Sequence, residues 1–225
     1  MTPFRSAPAG YVARWEPLER EVLARVARDV AELVRLDSGI GPDVEVGDGV
    51  AFTGVARMPE DPAVRRLLPD AHREDEDVAA EFRHLTQTDL AAGKAARLES
   101  FAGALDPDPG SAAGTDDGSG EVLVPREDAQ AFAGALTDLR LVLAERLGLE
   151  QDADVEELHD QVLSGVLADD EPDDEPDDEP GLSGEERRYW GGVFVAAGFA
   201  QETLMEEMLA DLRAGRHGGP RGRGR

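Results

Sequence analysis

The chain has no cysteine and no asparagine, a single lysine (Lys94) and a single isoleucine among 225 residues. Without cysteine there is no disulfide framework, no thiolate zinc site and no cysteine nucleophile. Cationic charge is scarce: Lys plus Arg total 23 against 49 Asp plus Glu, a formal charge of −26. Duplex affinity comes largely from cationic contacts to phosphate, so this balance argues against direct nucleic-acid binding. It equally disfavours an anionic membrane surface and favours a basic protein partner. Long apolar runs are missing too. The longest uncharged apolar stretch, Trp190 to Ala200, is too short to cross ~30 Å of hydrocarbon. The first residues, MTPFRSAPAGYVARWEP, lack the apolar core of a signal peptide. The expected location is the cytoplasm. The shortage of Asn, Ile and Lys beside abundant Ala, Arg and Gly reflects codon bias in a GC-rich genome better than function.

What is present is mostly helical pattern. Phe4 to Ser6 and Tyr11 to Trp15 flank Ala7-Pro8-Ala9-Gly10 and predict a hairpin. Pro17 opens a helix whose apolar stripe is Leu18, Val22, Val26, Val30, Leu33 and Val34, ended at Asp37-Ser38-Gly39. VEVGDGVAF, within residues 40–60, reads as a loop in preference to a second hairpin. Asp61-Pro62 caps a short helix running toward Leu68. A long helix is predicted from about Glu74 to Ala104, with Val78, Phe82 and Leu85 starting its buried face. Val122 to Val124 is a candidate third strand. Helices follow over Arg126 to Leu147, with Phe132, Leu136, Leu139, Leu143 and Leu147 aligned, and over Asp154 to Leu167. Ser183 with Glu186 forms a capping box for a last helix to about Ala214, with Phe194, Phe199, Leu204, Met208 and Leu212 inward and Gly191-Gly192 as a possible interruption.

Residues 1–214 thus read as one mostly α (α+β) domain of four to five packed helices with a small antiparallel sheet near the N-terminus. Two flexible insertions interrupt it, at 106–120 and at 169–182. The second holds DDEPDDEPDDEP, whose nine acids carry −9 of the −26 and leave −17 elsewhere. Proline at every fourth position bars helix and core there. Residues 215–225 read as a disordered basic tail.

Two Glu-x-x-His spacings, Glu81…His84 and Glu156…His159, suggest a metal-binding bundle. Helix phase argues against it: His84 lies about 120° from the stripe through Val78, Phe82 and Leu85, toward solvent. No metal, cofactor or catalytic residue is assigned. Opposite charges sit beside core positions at Glu81-Phe82-Arg83 and Asp138-Leu139-Arg140. With Arg66, and Arg65 beside it, the residues Glu81, Arg83, Asp138 and Arg140 form either an ion-pair network setting helix register or a partner surface.

Two longer segments carry a resemblance. Asp61 to Lys94 reads DPAVRRLLPDAHREDEDVAAEFRHLTQTDLAAGK, and Glu127 to Gly148 reads EDAQAFAGALTDLRLVLAERLG. Together they resemble an actinobacterial family of unknown biochemical function that includes the oxidative-stress regulator AosR. The first matches a D-P-A-x-x-R-L-L-P-D-A entry, an acidic stretch, an E-F-R core and a trailing lysine; the second matches an L-x-D-L-R-L-V-L-x-x-R-L-G helix. The resemblance implies a non-enzymatic regulatory protein that contacts a transcription factor such as a sigma factor. Thiol-based redox sensing is closed to a chain without cysteine. Rival readings are an adaptor for a protease or chaperone and, less favoured, the metal-binding bundle.

Overall fold

The computed structural model describes residues 1–40, 58–69, 86–106, 120–164 and 182–215. Strands β1 (Arg5–Ala7), β2 (Gly10–Arg14) and β3 (Glu121–Pro125) form an antiparallel sheet in the order β1-β2-β3. The predicted hairpin is present, and β3 joins it from mid-chain with Tyr11 opposite Val124 and Ala13 opposite Val122. Alternation puts Tyr11, Ala13, Val122 and Val124 on the buried face. Six helices are described: α1 (Pro17–Asp37), α2 (Pro62–Leu67), α3 (Thr88–Leu105), α4 (Ala129–Arg146), α5 (Asp152–Ser164) and α6 (Gly184–Arg213). The fold is mostly helical with a small sheet, as its pattern implies.

Gly10 holds the corner where all three strands meet. Its φ is +155°, and a Cβ there would lie 2.2 Å from the Val124 carbonyl oxygen. Gly10→Ala combines backbone strain with a collision against backbone that cannot rotate away. It is expected to cost about 2 kcal/mol or more, read as a lowered urea midpoint. An unchanged midpoint would mean that β3 separates from β2 at no cost.

Proline opens α1 at its first position, and Glu19 reaches back to accept a 2.7 Å hydrogen bond from the Glu16 backbone. The buried face of α1 differs from the predicted stripe. Leu18 is 70% exposed, whereas Leu23, Ala24, Ala27 and Ala31 are buried beside Val26, Val30 and Val34. Alanines complete the face because α3 lies against α1 and is itself lined with Ala91, Ala92, Ala95 and Ala102. Small side chains let two helix backbones approach closely. A count of large apolar residues misses such a seam.

Other expected boundaries are met only in part. α3 begins at Thr88, after a π-type turn at Thr86 and Gln87, while Val78, Phe82 and Leu85 of the predicted longer helix lie outside the described residues. So do the VEVGDGVAF segment and the whole acidic repeat. α5 runs over Asp152–Ser164, two residues earlier than expected at its start. In α6, Gly191 and Gly192 do not break the helix. A Cβ on Gly191 would sit 2.9 Å from Leu158 Cδ1, so this glycine admits α5 to close packing.

The core centres on aromatic rings brought from distant segments. Phe132 on α4 lies 4.6 Å from Phe101 on α3, 6.0 Å from Phe4 and 6.4 Å from Trp15, centroid to centroid. All four rings are buried.

Candidate functional site

The five charged residues singled out above go to different places. Glu81 and Arg83 lie outside the described residues. Arg66 pairs through Nε with Glu145, tying α2 to α4. Its neighbour Arg65 donates to the Pro59 carbonyl at 2.6 Å. Asp138 and Arg140 are two apart on α4, about 200° round the helix, so they face opposite neighbours. Asp138 turns toward α3, where it accepts from Lys94 Nζ at 2.5 Å and from Arg97 at 3.5 Å. Arg140 turns toward α6.

Arg140 enters a groove of about 490 Å³ between α4, α5 and α6, lined also by His159, Leu163, Val195, Phe199, Gln201 and Met205. Its Nη1 donates to Gln201 Oε1 at 2.8 Å, and Gln201 in turn donates to Thr137 at 2.6 Å. The guanidinium stacks 5.1 Å from the Phe194 ring centroid, a cation–π contact. Its Nε has no acceptor among the described residues. Burial pushes its pKa below the usual arginine value, and nearby Glu202 partly opposes this. His159 forms part of the wall, with Nδ1 2.9 Å from the Val155 carbonyl and its ring edge-on to Phe194 at 6.3 Å.

The groove opens onto an apolar stripe that corrects the predicted inner face of α6. Phe194 and Leu204 are buried and Met208 is half-buried, but Phe199 and Leu212 are not in the core. Small residues, Ala197 and Ala200, complete the inner face instead. Phe199, Met205, Leu209 and Leu212 are 37%, 45%, 44% and 53% exposed, and Leu163 at the end of α5 is 76% exposed. Val195, Glu202 and Leu209 are seven residues apart, as are Met205 and Leu212, so they share one face with a 3.5-residue period. α6 thus has one packed apolar side and one open side where apolar residues are interspersed with Glu202.

Two polar clusters went unforeseen. Arg126 donates to buried Asp211 at 3.0 Å and to Ser6 Oγ at 2.9 Å, fastening the hairpin to the end of α6. Tyr11 belongs to this clasp, its hydroxyl pKa raised by burial and then by Asp211. Arg20, buried in α1, donates to the last carbonyl of α3, Leu105, at 3.2 Å. The pairing of Lys94 with Asp138 had one available signal: the chain's single lysine closes the first quoted motif, and Asp138 lies in the second.

Among the described residues, no three His, Asp or Glu side chains are grouped to hold a metal ion, and no helix is long and apolar enough to cross a membrane. Residues 1–208 match the model of a family described as a domain of unknown function (DUF2017), and the chain belongs to that family. No curated protein and no solved structure matches it.

Proposed function

We propose that this protein is a non-enzymatic regulatory protein that acts by binding another protein through the groove and the open face of α6. The observation carrying this reading is the second apolar face of α6, which continues past Arg140 into the groove. Exposed apolar side chains grouped on one face beside polar residues are a feature of interaction sites. The formal charge of −26 favours a protein partner over nucleic acid or membrane. The resemblance to the actinobacterial regulators points to oxidative-stress control through a transcription protein such as a sigma factor, in the cytoplasm. Without cysteine, any response to oxidant within this chain is left to its four methionines, poor substitutes for a thiol.

The test is affinity capture from native lysate at ~0.15 M salt, where electrostatic contacts survive screening. It compares the natural chain with a Met205→Glu/Leu209→Glu variant. The variant should stay folded, since both side chains are nearly half exposed and lie outside the core, yet lose a transcription protein that the natural chain retains. Identical captured sets would refute the reading. Stripe-dependent capture of a protease or chaperone component would make the protein an adaptor.

A further inference from the structure

We infer that the occupant of this groove is a cationic amphipathic helix, about 18 residues long, supplied by the partner. The inference rests on the docking role proposed above and adds the chemistry of what docks. The open face runs from Val195 to Leu212, about 26 Å at 1.5 Å per residue, the length of a five-turn helix. Its 3.5-residue period is the spacing that meets a second helix along a continuous seam. Phe199, Met205 and Leu209 supply the apolar anchors, and Leu163 of α5 closes one side.

Carboxylates on and beside the stripe set the charge of the occupant. Glu202 and Glu206 are exposed on α6, and Glu156 and Asp160 are exposed on α5. Glu156 and Asp160 precede Leu163 by seven and three positions, so helical spacing places them on its side. Among the described residues none of these four carboxylates lies within 4 Å of a cation, though Glu202 is near enough to Arg140 to act on it, whereas Glu19, Glu21, Glu99 and Glu145 are paired. Arg140 lies deeper, held by Gln201 and Phe194. The open face thus carries carboxylates among and beside its apolar anchors, and lysine or arginine flanking leucine-like anchors complements it.

Other occupants fit less well. A second copy would set Glu202 and Glu206 against their own equivalents, between chains each carrying −26. The arginine-rich residues 216–225 contain no large apolar side chain to pack on the apolar anchors.

The test uses the full chain and two labelled helical peptides of about 18 residues. Both carry leucine at heptad spacing; one is flanked by lysine, the other by glutamate. Fluorescence anisotropy at ~0.15 M salt should show the lysine peptide binding about tenfold or more tightly than the glutamate peptide. Met205→Ala/Leu209→Ala should weaken it about tenfold, and Glu202→Gln/Glu206→Gln a few-fold, both with unchanged melting temperature. Lysine-peptide binding unaffected by the alanine pair would mean adhesion to acidic surface elsewhere and would overturn the docking role itself. Stripe-dependent preference for the glutamate peptide would overturn only the charge assignment. A concentration-dependent dimer in sedimentation velocity, abolished by the alanine pair, would overturn the inference in favour of a second copy.

Discussion

Asp138→Ala should destabilise the protein by about 3–5 kcal/mol, the usual consequence of stripping one partner from a buried ion pair. The Asp138 side chain is 2% exposed and that of Lys94 14%, with Arg97 approaching from the side. Removing the carboxylate leaves the mostly buried Lys94 ammonium between α3 and α4 without its counter-charge. Attraction between the ions offsets their desolvation only while both are present. The double variant Lys94→Met/Asp138→Leu should therefore recover most of the loss, because it removes the cost as well as the gain. Urea unfolding of the two single variants and the double variant closes the cycle. A loss below about 1 kcal/mol for Asp138→Ala would place the pair with solvent-screened rim contacts and remove it from the forces holding α3 to α4.

The pair also marks where the sequence stops being readable. Elements defined by local chemistry were legible: the Asp61 cap accepting from Ala63 at 2.8 Å, the Ser183–Glu186 capping box, and Gly148 at φ +68° just past α4. The face of α4 was legible as well, because Phe132, Leu136, Leu139, Leu143 and Leu147 are large and regularly spaced, and all are buried. β3 could be recognised as a strand, and its β-branched run suited the inner face of the sheet. Helix faces built from alanine were not legible, since alanine is compatible with core and surface alike. That ambiguity placed Leu18 inward on α1 and Phe199 and Leu212 inward on α6. The charged candidates were legible only in part: Arg66 and Asp138 make ion pairs between helices, Arg140 faces the groove, and Glu81 and Arg83 lie outside the described residues. Which partners each charge would meet was not legible, because a helix sends residues two apart to opposite sides. Asp138 found its partner 44 residues back on α3, and Arg126 met Asp211 85 residues on. Such pairings depend on which helices become neighbours, which periodicity does not encode. The groove was invisible for the same reason: it exists because α4, α5 and α6 converge without covering one face of α6.

Phe132→Ala should cost about 3–5 kcal/mol, the range for deleting a large buried ring. The ring is 5% exposed and packs on Phe4, Trp15 and Phe101, which belong to the hairpin, the entry to α1 and the middle of α3. A cavity at that junction cannot close by moving one helix, because each wall is held elsewhere: the hairpin by Arg126 and Asp211, α3 by Lys94 and Asp138. Edge-to-face and tilted ring contacts add about 0.5–1.5 kcal/mol per pair beyond area burial, so Phe132→Leu should recover only part of the loss. Leu212→Ala is the matched contrast. At 53% exposed it should leave the urea midpoint nearly unchanged. The two variants together test the division of α6 and its neighbours into a packed interior and an open apolar face. If Leu212→Ala proved as costly as Phe132→Ala, the outer face of α6 would be covered within the protein itself, and neither the docking role nor its cationic partner would stand. If Phe132→Ala alone unfolds the chain at low denaturant, the interior is accounted for without that face. The apolar stripe is then surface that folding does not use and that a partner can.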